Sequence, residues 1–299
     1  MMHNHRFGTL VVLLVLLGCG GSSEVTVPDS TPRTPPPSPP PTVMAGPTHH
    51  RALDALAWTQ TSTEYKANAR QTYNVAKVML DKALADTSWT AASEDQLSDF
   101  ADKPPAIILD VDETVLDNSP YQARLLRDGG VYDIESWTAW CNEQAALPIP
   151  GAVEFTTYAA SKGVKVFFVT NRMHDVEPAT RANLAKHGFP LDEAMDTIYT
   201  KGEKEAWKPS DKKPRRTEIA AKYRIIMLFG DNLGDFVSKY KLTLKERDAV
   251  YEKYADYWGV RWFMLPNTLY GSWETALYGH DHAQPNDVKQ TMKVKSLRY

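Results

Sequence analysis

Residues 106–121, AIILDVDETVLDNSPY, pass from four apolar positions directly into a run containing Asp110, Asp112, Glu113 and Asp117. In extended backbone, residues i and i+2 point to the same side, so Asp110 and Asp112 can share a face if the strand continues past Asp110. Two close carboxylates ionise together only at a cost, which a cation or a shared proton relieves. Two further apolar runs end in side chains of matching chemistry: VFFVTNR brings Thr170 and Asn171, and MLFGDNLGD brings Asp231 and Asp235. An all-oxygen set rich in carboxylates suits a hard divalent cation, Mg²⁺ rather than Zn²⁺. A calcium-binding EF-hand loop does not fit, because its sixth position holds Val115 where glycine is needed and its twelfth holds Tyr121 in place of a bidentate glutamate.

Something must carry these groups to one place. Ala106–Leu109, Val164–Val169, Thr197–Tyr199, Arg224–Phe229 and Val260–Leu265 are short, β-branched-rich runs bounded by Gly, Pro or Asp, which reads as buried strands. Helical patterns such as Glu177–His187 and Arg215–Tyr223 lie between them. This alternation predicts an α/β fold, a parallel sheet with helices on both faces, whose ligand site lies beyond the carboxyl ends of the strands. Upstream, Tyr65, Ala69, Tyr73, Ala76, Leu80 and Leu84 recur at helical spacing, so 51–85 is expected to hold one long or two shorter core-facing helices.

The ordered motifs resemble a known family. ILDVDETVLDNSPY looks like the DxDxT motif of haloacid dehalogenase (HAD) superfamily phosphatases, with Asp110, Asp112 and Thr114 in place. FFVTNR is similar to the second motif, through Thr170. DKKPRR supplies the third motif's lysine, placed at Lys212 with Lys213 as the neighbouring alternative, and FGDNLGDF the fourth, through Asp231 and Asp235. AWTQTSTEYKA, DNSPY, TNR, KKPRR, GDNLGDF and LPNTLYGSWE follow an order similar to the class C acid phosphatases of the lipoprotein e type of 5′-nucleotidase. That resemblance implies a HAD-like Rossmannoid domain over 49–285 with a helical cap insertion at about 120–150, and a Mg²⁺-dependent phosphomonoesterase. Asp110 would be the nucleophile and form an aspartyl-phosphate, and Asp112 the general acid and base, its backbone carbonyl also facing the metal. Thr170 would donate hydrogen bonds to the phosphoryl oxygens, Lys212 would balance charge, and Asp231 and Asp235 would ligate or orient the metal. Phosphotransfer to an alcohol through the same intermediate, or a non-catalytic surface lipoprotein on this fold, are the alternative readings.

Aromatic residues from two segments, Trp137 and Trp140 in ESWTAWCNE and Tyr270 and Trp273 in LPNTLYGSW, are candidates to hold a flat leaving group. Trp137 and Tyr270, with Asn171, are the expected substrate contacts of a nucleotide-like phosphate monoester. Glu113, Asp117 and the YGHDH cluster at 278–282 are expected in solvated turns, with a polar tail over 286–299.

The composition narrows the partners. The 299 residues carry a formal charge of −3, which offers no basic stripe for a nucleic acid polymer. Leu10–Leu17 is too short to span a membrane and reads as the core of an export signal over 1–18, followed by Gly18-Cys19-Gly20-Gly21. LLGC resembles the lipobox of bacterial lipoproteins, which implies lipidation of Cys19 and a membrane partner through that anchor. Gly20, in place of aspartate, favours the outer membrane. Nine prolines between Pro28 and Pro47 make 19–48 an extended tether. Cys141 then has no disulfide partner and is expected to be a packed thiol.

Overall fold

The structure, a computed structural model, describes residues 50–299; Cys19, the export signal and the whole of the tether lie outside the described residues. Five parallel strands form the sheet: β1 (Pro105–Leu109), β4 (Lys165–Met173), β5 (Ile198–Lys201), β6 (Arg224–Gly230) and β7 (Trp262–Met264), in the order β5-β4-β1-β6-β7. The chain adds strands to one side of β1 and then crosses to the other, so β1 sits at the switch point where such sheets open a crevice. Both faces are covered. Ile107 and Leu109 of β1 pack into one core with Tyr73 and Phe155, and Ala106 and Ile108 into the other with Trp207, Ile219 and Trp262. Burial on both faces is why these strands read as unbroken apolar runs rather than as alternating ones.

The N-terminal stripe forms two helices, α1 (His50–Thr61) and α2 (Thr63–Ala85). Ser62 separates them, its hydroxyl accepting from the Tyr65 amide at 3.0 Å as an N-cap. The buried face of α2 carries Tyr65, Ala69, Tyr73, Ala76, Leu80 and Ala83. Tyr73 stacks on Phe229 and its hydroxyl donates to the Thr114 carbonyl at 2.6 Å, so this helix holds down the loop after β1.

A helical insertion follows that loop: α3 (Ser119–Asp128) and α4 (Ile134–Glu143). Chain entry and exit pair as a short antiparallel ladder, β2 (Leu116–Asp117) against β3 (Leu147–Pro148), which fixes the cap over the crevice. α5 (Ala152–Ser161), α6 (Glu177–Lys186), α7 (Lys213–Lys222) and α8 (Leu244–Lys253) complete the helical layers. Beyond β7 come α9 (Ser272–Ala276) and, where the sequence reads as a polar tail, a further helix, α10 (Asn286–Lys295). It is not apolar enough to announce itself; the Lys293–Glu274 ion pair and a 2.8 Å bond from Lys289 Nζ to the His282 carbonyl tie it to the domain. Among the described residues no helix is long and apolar enough to cross a membrane.

Candidate active site

The carboxyl ends of β1, β4 and β6 deliver the predicted groups. β1 ends at Asp110, whose amide still donates to the Phe229 carbonyl of β6 at 3.0 Å, so its side chain leaves the sheet from a fixed backbone. β6 ends in Gly230, and a Cβ there would fall 2.2 Å from Asp235 Oδ2; only glycine lets Asp235 fold back over the strand end. The Asp235 carboxylate then accepts from the Asn232 amide at 2.9 Å and closes a capping box. Oxygens of Asp110, Asp231 and Asp235 all lie within 4.8 Å of one another. Lys212, at the N-terminus of α7, is buried between two of them, paired with Asp110 and 2.7 Å from Asp235 Oδ1. Lys213 begins the helix, its amide capped by Asp211, so Lys212 is the lysine of the site.

Crowding and burial shift these groups. Burial pushes the Asp110 carboxyl up, Lys212 pulls it back, and Asp235 and Asp112 push it up again, to about 7. Asp231 is held well above the usual carboxylate range by burial and by Asp235 and Asp110, with the Asn267 amide at 2.8 Å and Lys212 pulling it back. Burial alone would lower the Lys212 ammonium, but Asp110 and Asp235 outweigh it and raise it. Three carboxylates around one ammonium leave two negative charges unmatched, which a divalent cation on oxygen donors would match.

Asp112 stands apart from this cluster. Its carboxylate faces Arg172, which approaches with Nε at 2.9 Å and a terminal nitrogen at 2.8 Å, and it also accepts from Asn118 Nδ2 at 2.8 Å. Its side chain is therefore not one of the converging metal donors, because Arg172 already supplies its countercharge. Thr170 is fully buried; its hydroxyl sits 3.4 Å from Asp112 Oδ2 and accepts from the Arg172 amide at 3.0 Å. The Thr170 hydroxyl thus stands beside the Asp112 carboxylate, while Asn171 and Arg172 line the cavity. Asn171 is fixed between Arg215, which donates to its Oδ1 at 2.7 Å, and the Ser210 carbonyl at 3.0 Å.

The cavity in front of these groups measures about 890 Å³. Asp110, Lys212 and Asp231 lie at one part of its wall, and Trp137 and Tyr270 both belong to its lining. Trp137 is largely buried, packed on Tyr121 at 5.1 Å and under the Arg172 guanidinium at 5.6 Å. The exposed ring of the cap is Tyr132, centred 6.2 Å from Trp137, which sequence reading passed over.

Four further groups were missed. Glu113, expected in solvent, is only 2% exposed, with φ +59°; it accepts from the Asn118 amide at 2.8 Å and from the Tyr270 hydroxyl. Burial first, then Asp112 and Asp231, hold its carboxyl well above the usual range. Asp117 is a cap for the Ser119 amide at 2.8 Å. His282, within the expected solvated terminus, lines the cavity. Arg172 had a legible signal, since it lies two residues beyond Thr170 on the same strand. Cys141 is a buried free thiol, pushed up to about 12 by burial.

Residues 42–273 match the family model of the HAD superfamily, subfamily IIIB (acid phosphatase). The chain belongs to this family of acid phosphatases. The class C acid phosphatase from Bacillus anthracis is similar to this acid phosphatase at 33% identity and a TM-score of 0.73, over 84% of this chain and 98% of that one. A second structure of that protein, with tungstate bound, gives the same figures. The stem 28 kDa glycoprotein of Glycine max is 24% identical over 167 residues, 54% of the acid phosphatase and 58% of the soybean chain, so the match spans less than two thirds of that relative. The parallel sheet with helices on both faces is that of the class C acid phosphatase.

Proposed function

We propose that this acid phosphatase is a Mg²⁺-dependent phosphomonoesterase acting on nucleoside 5′-monophosphates through an aspartyl-phosphate on Asp110, tethered to the bacterial outer membrane by a lipid on Cys19. The observation that carries the reading is the position of Asp110, paired with Lys212 and facing a cavity whose other walls hold Trp137, Tyr132 and Tyr270. The donor set fits a hard cation: Asp110, Asp231 and Asp235 converge as oxygens alone. When bound there, the cation offsets the carboxylates and the phosphate and polarises phosphoryl oxygens.

The chain's own residues supply the remaining chemistry. An Asp110 oxygen attacks phosphorus as the bond from phosphorus to the ester oxygen breaks, and Asp112, acting as the general acid, delivers a proton to that departing oxygen. Asp112, now a carboxylate, takes a proton from water as the water oxygen attacks phosphorus and releases Asp110. Lys212 is held cationic by Asp110 and Asp235 before the attack, and by Asp235 and the phosphoryl charge once Asp110 is esterified. The tungstate of the Bacillus anthracis relative, a tetrahedral oxyanion, supports a phosphoryl site in this fold. A complete nucleophile, acid and lysine set is more than a binding module needs.

A screen of phosphate monoesters with Mg²⁺ tests the substrate. Nucleoside 5′-monophosphates are expected to give higher kcat/KM than 3′-monophosphates or p-nitrophenyl phosphate; no preference among them sinks the nucleotide assignment. EDTA is expected to abolish turnover and Mg²⁺ to restore it, whereas full activity after dialysis against EDTA sinks the metal. Radiolabelled palmitate should enter the wild-type chain in a bacterial host and not the Cys19→Ser variant.

A further inference from the structure

Asn118 is fully buried and its side chain contacts four residues of three functional segments. Its Nδ2 donates to Asp112 Oδ1 at 2.8 Å and lies 3.5 Å from Glu113 Oε2. Its Oδ1 accepts from Trp140 Nε1 of the cap at 2.8 Å and from a terminal nitrogen of Arg172 at 3.2 Å. An amide has two donors and two acceptor positions, so this side chain is saturated and its orientation is fixed. It therefore grips both members of the Asp112–Arg172 pair at once. The Asn118 amide adds a further bond, to Glu113, whose other oxygen meets the Tyr270 hydroxyl in the cavity wall.

We propose that Asn118 is a positioning residue for the proton transfer to the leaving group: it aims the Asp112 carboxyl and joins that aim to the cap through Trp140 and to the leaving-group wall through Glu113 and Tyr270. This rests on Asp112 being the acid. Arg172 alone does not supply the aim, because its own placement relies on Asn118 and on Thr180, whose hydroxyl it meets at 3.1 Å. A fully satisfied buried network of this kind fixes one arrangement, and loss of its shared member releases several groups together.

The discriminating measurement is the dependence on the leaving group. A nitrophenolate departs without a proton; the alkoxide of glycerol phosphate needs one. Misaim at Asp112 is therefore expected to slow the alkyl ester and to spare the aryl ester in comparison. For Asn118→Ala, the ratio of kcat on glycerol phosphate to kcat on p-nitrophenyl phosphate should fall by about 10- to 100-fold, the scale of a misplaced catalytic group. Trp140→Phe keeps an aromatic side chain in the cap and removes the donor to Asn118, so it should move the ratio the same way by about 3-fold. Equal losses on both esters, or an unchanged ratio in both variants, overturn the proposal. Asp112→Asn is measured alongside: if it lowers both esters equally, Asp112 is not the acid and the proposal falls with that assignment. A shifted ratio in Asp112→Asn with none in the Asn118 and Trp140 variants overturns the positioning role alone.

Discussion

Asp110 and Asp112 are the same residue type, two positions apart after one strand, yet their surroundings are opposite in kind. Around Asp110 there is too little positive charge: Asp231 and Asp235 crowd it, and among the described residues Lys212 is the one cation paired within the cluster. Around Asp112 the charge is met, by both faces of the Arg172 fork and by Asn118. The first region is built to take up positive charge, as a proton or as a dication. The second is built to hold a carboxyl still. Spacing put both side chains near one edge; their partners, drawn from β4, α3 and α7, gave them separate work.

The comparison breaks most sharply at Asp110. Replacing it by Asn keeps the shape and removes the proposed nucleophile, so kcat should fall by at least about 10⁴-fold on aryl and alkyl esters alike. Asp112→Asn should instead give a loss that grows with the basicity of the leaving group, up to about 10²- to 10⁴-fold on alkyl esters. Steady-state kinetics on matched esters would decide this. The contrast fails if Asp110→Asn retains turnover or if the two variants show one common pattern.

Arg172→Met sharpens the second region. The pair is nearly closed to water, with side-chain exposures of 1% for Arg172 and 17% for Asp112, so removing the cation leaves a largely buried carboxylate without its partner. Such a change costs about 3 kcal/mol, and urea denaturation should show a loss of this order. Removing one partner of the exposed Arg124–Glu143 pair, whose side chains are 44% and 42% exposed, should cost less than about 1 kcal/mol despite its good geometry. Equal costs would mean that burial is not what separates the two pairs.

Much of this was legible in the sequence, and what was not has a common cause. β1 and β6 are recognisable because burial on both faces demands apolar runs, and the groups ending them follow from where strands stop. Lys212 could be told from Lys213 only by the turn into α7, which puts one side chain between carboxylates and the other at a helix start. Glu113 was misread because a charged residue in a turn normally faces water; here a left-handed backbone at φ +59° turns it inward to partners 5 and 157 residues away. Asn118 meets Arg172 across 54 positions of sequence, a pairing that no local pattern encodes. The same holds for α10, whose reason for forming lies in Glu274 and His282 rather than in its own periodicity.

The smallest effect, and the one that reads the charge deficit directly, is on stability without metal. Asp110 is raised from an ordinary 3.8 to about 7, and Asp231 and Glu113 are raised too, in each case first by burial. A carboxyl that holds its proton more tightly when folded makes the folded state bind more protons than the unfolded chain. Its contribution is fully present below the unfolded value of 3.8 and is lost as pH rises to about 7. Between pH 5 and 7.5 the salt-bridged carboxyls that are lowered on folding, such as Asp192, are already ionised in both states and add no slope. In EDTA the Tm should therefore fall by about 5 °C across that interval. The proposed Mg²⁺ would compete with the proton for the same oxygens, so its stabilisation should be larger at pH 7.5 than at pH 5 and should flatten the curve. Asp231→Asn should reduce the slope in EDTA, since it removes one of the raised carboxyls. A Tm that is level or rising from pH 5 to 7.5 without metal would show that the two carboxylates are not compensated differently after all.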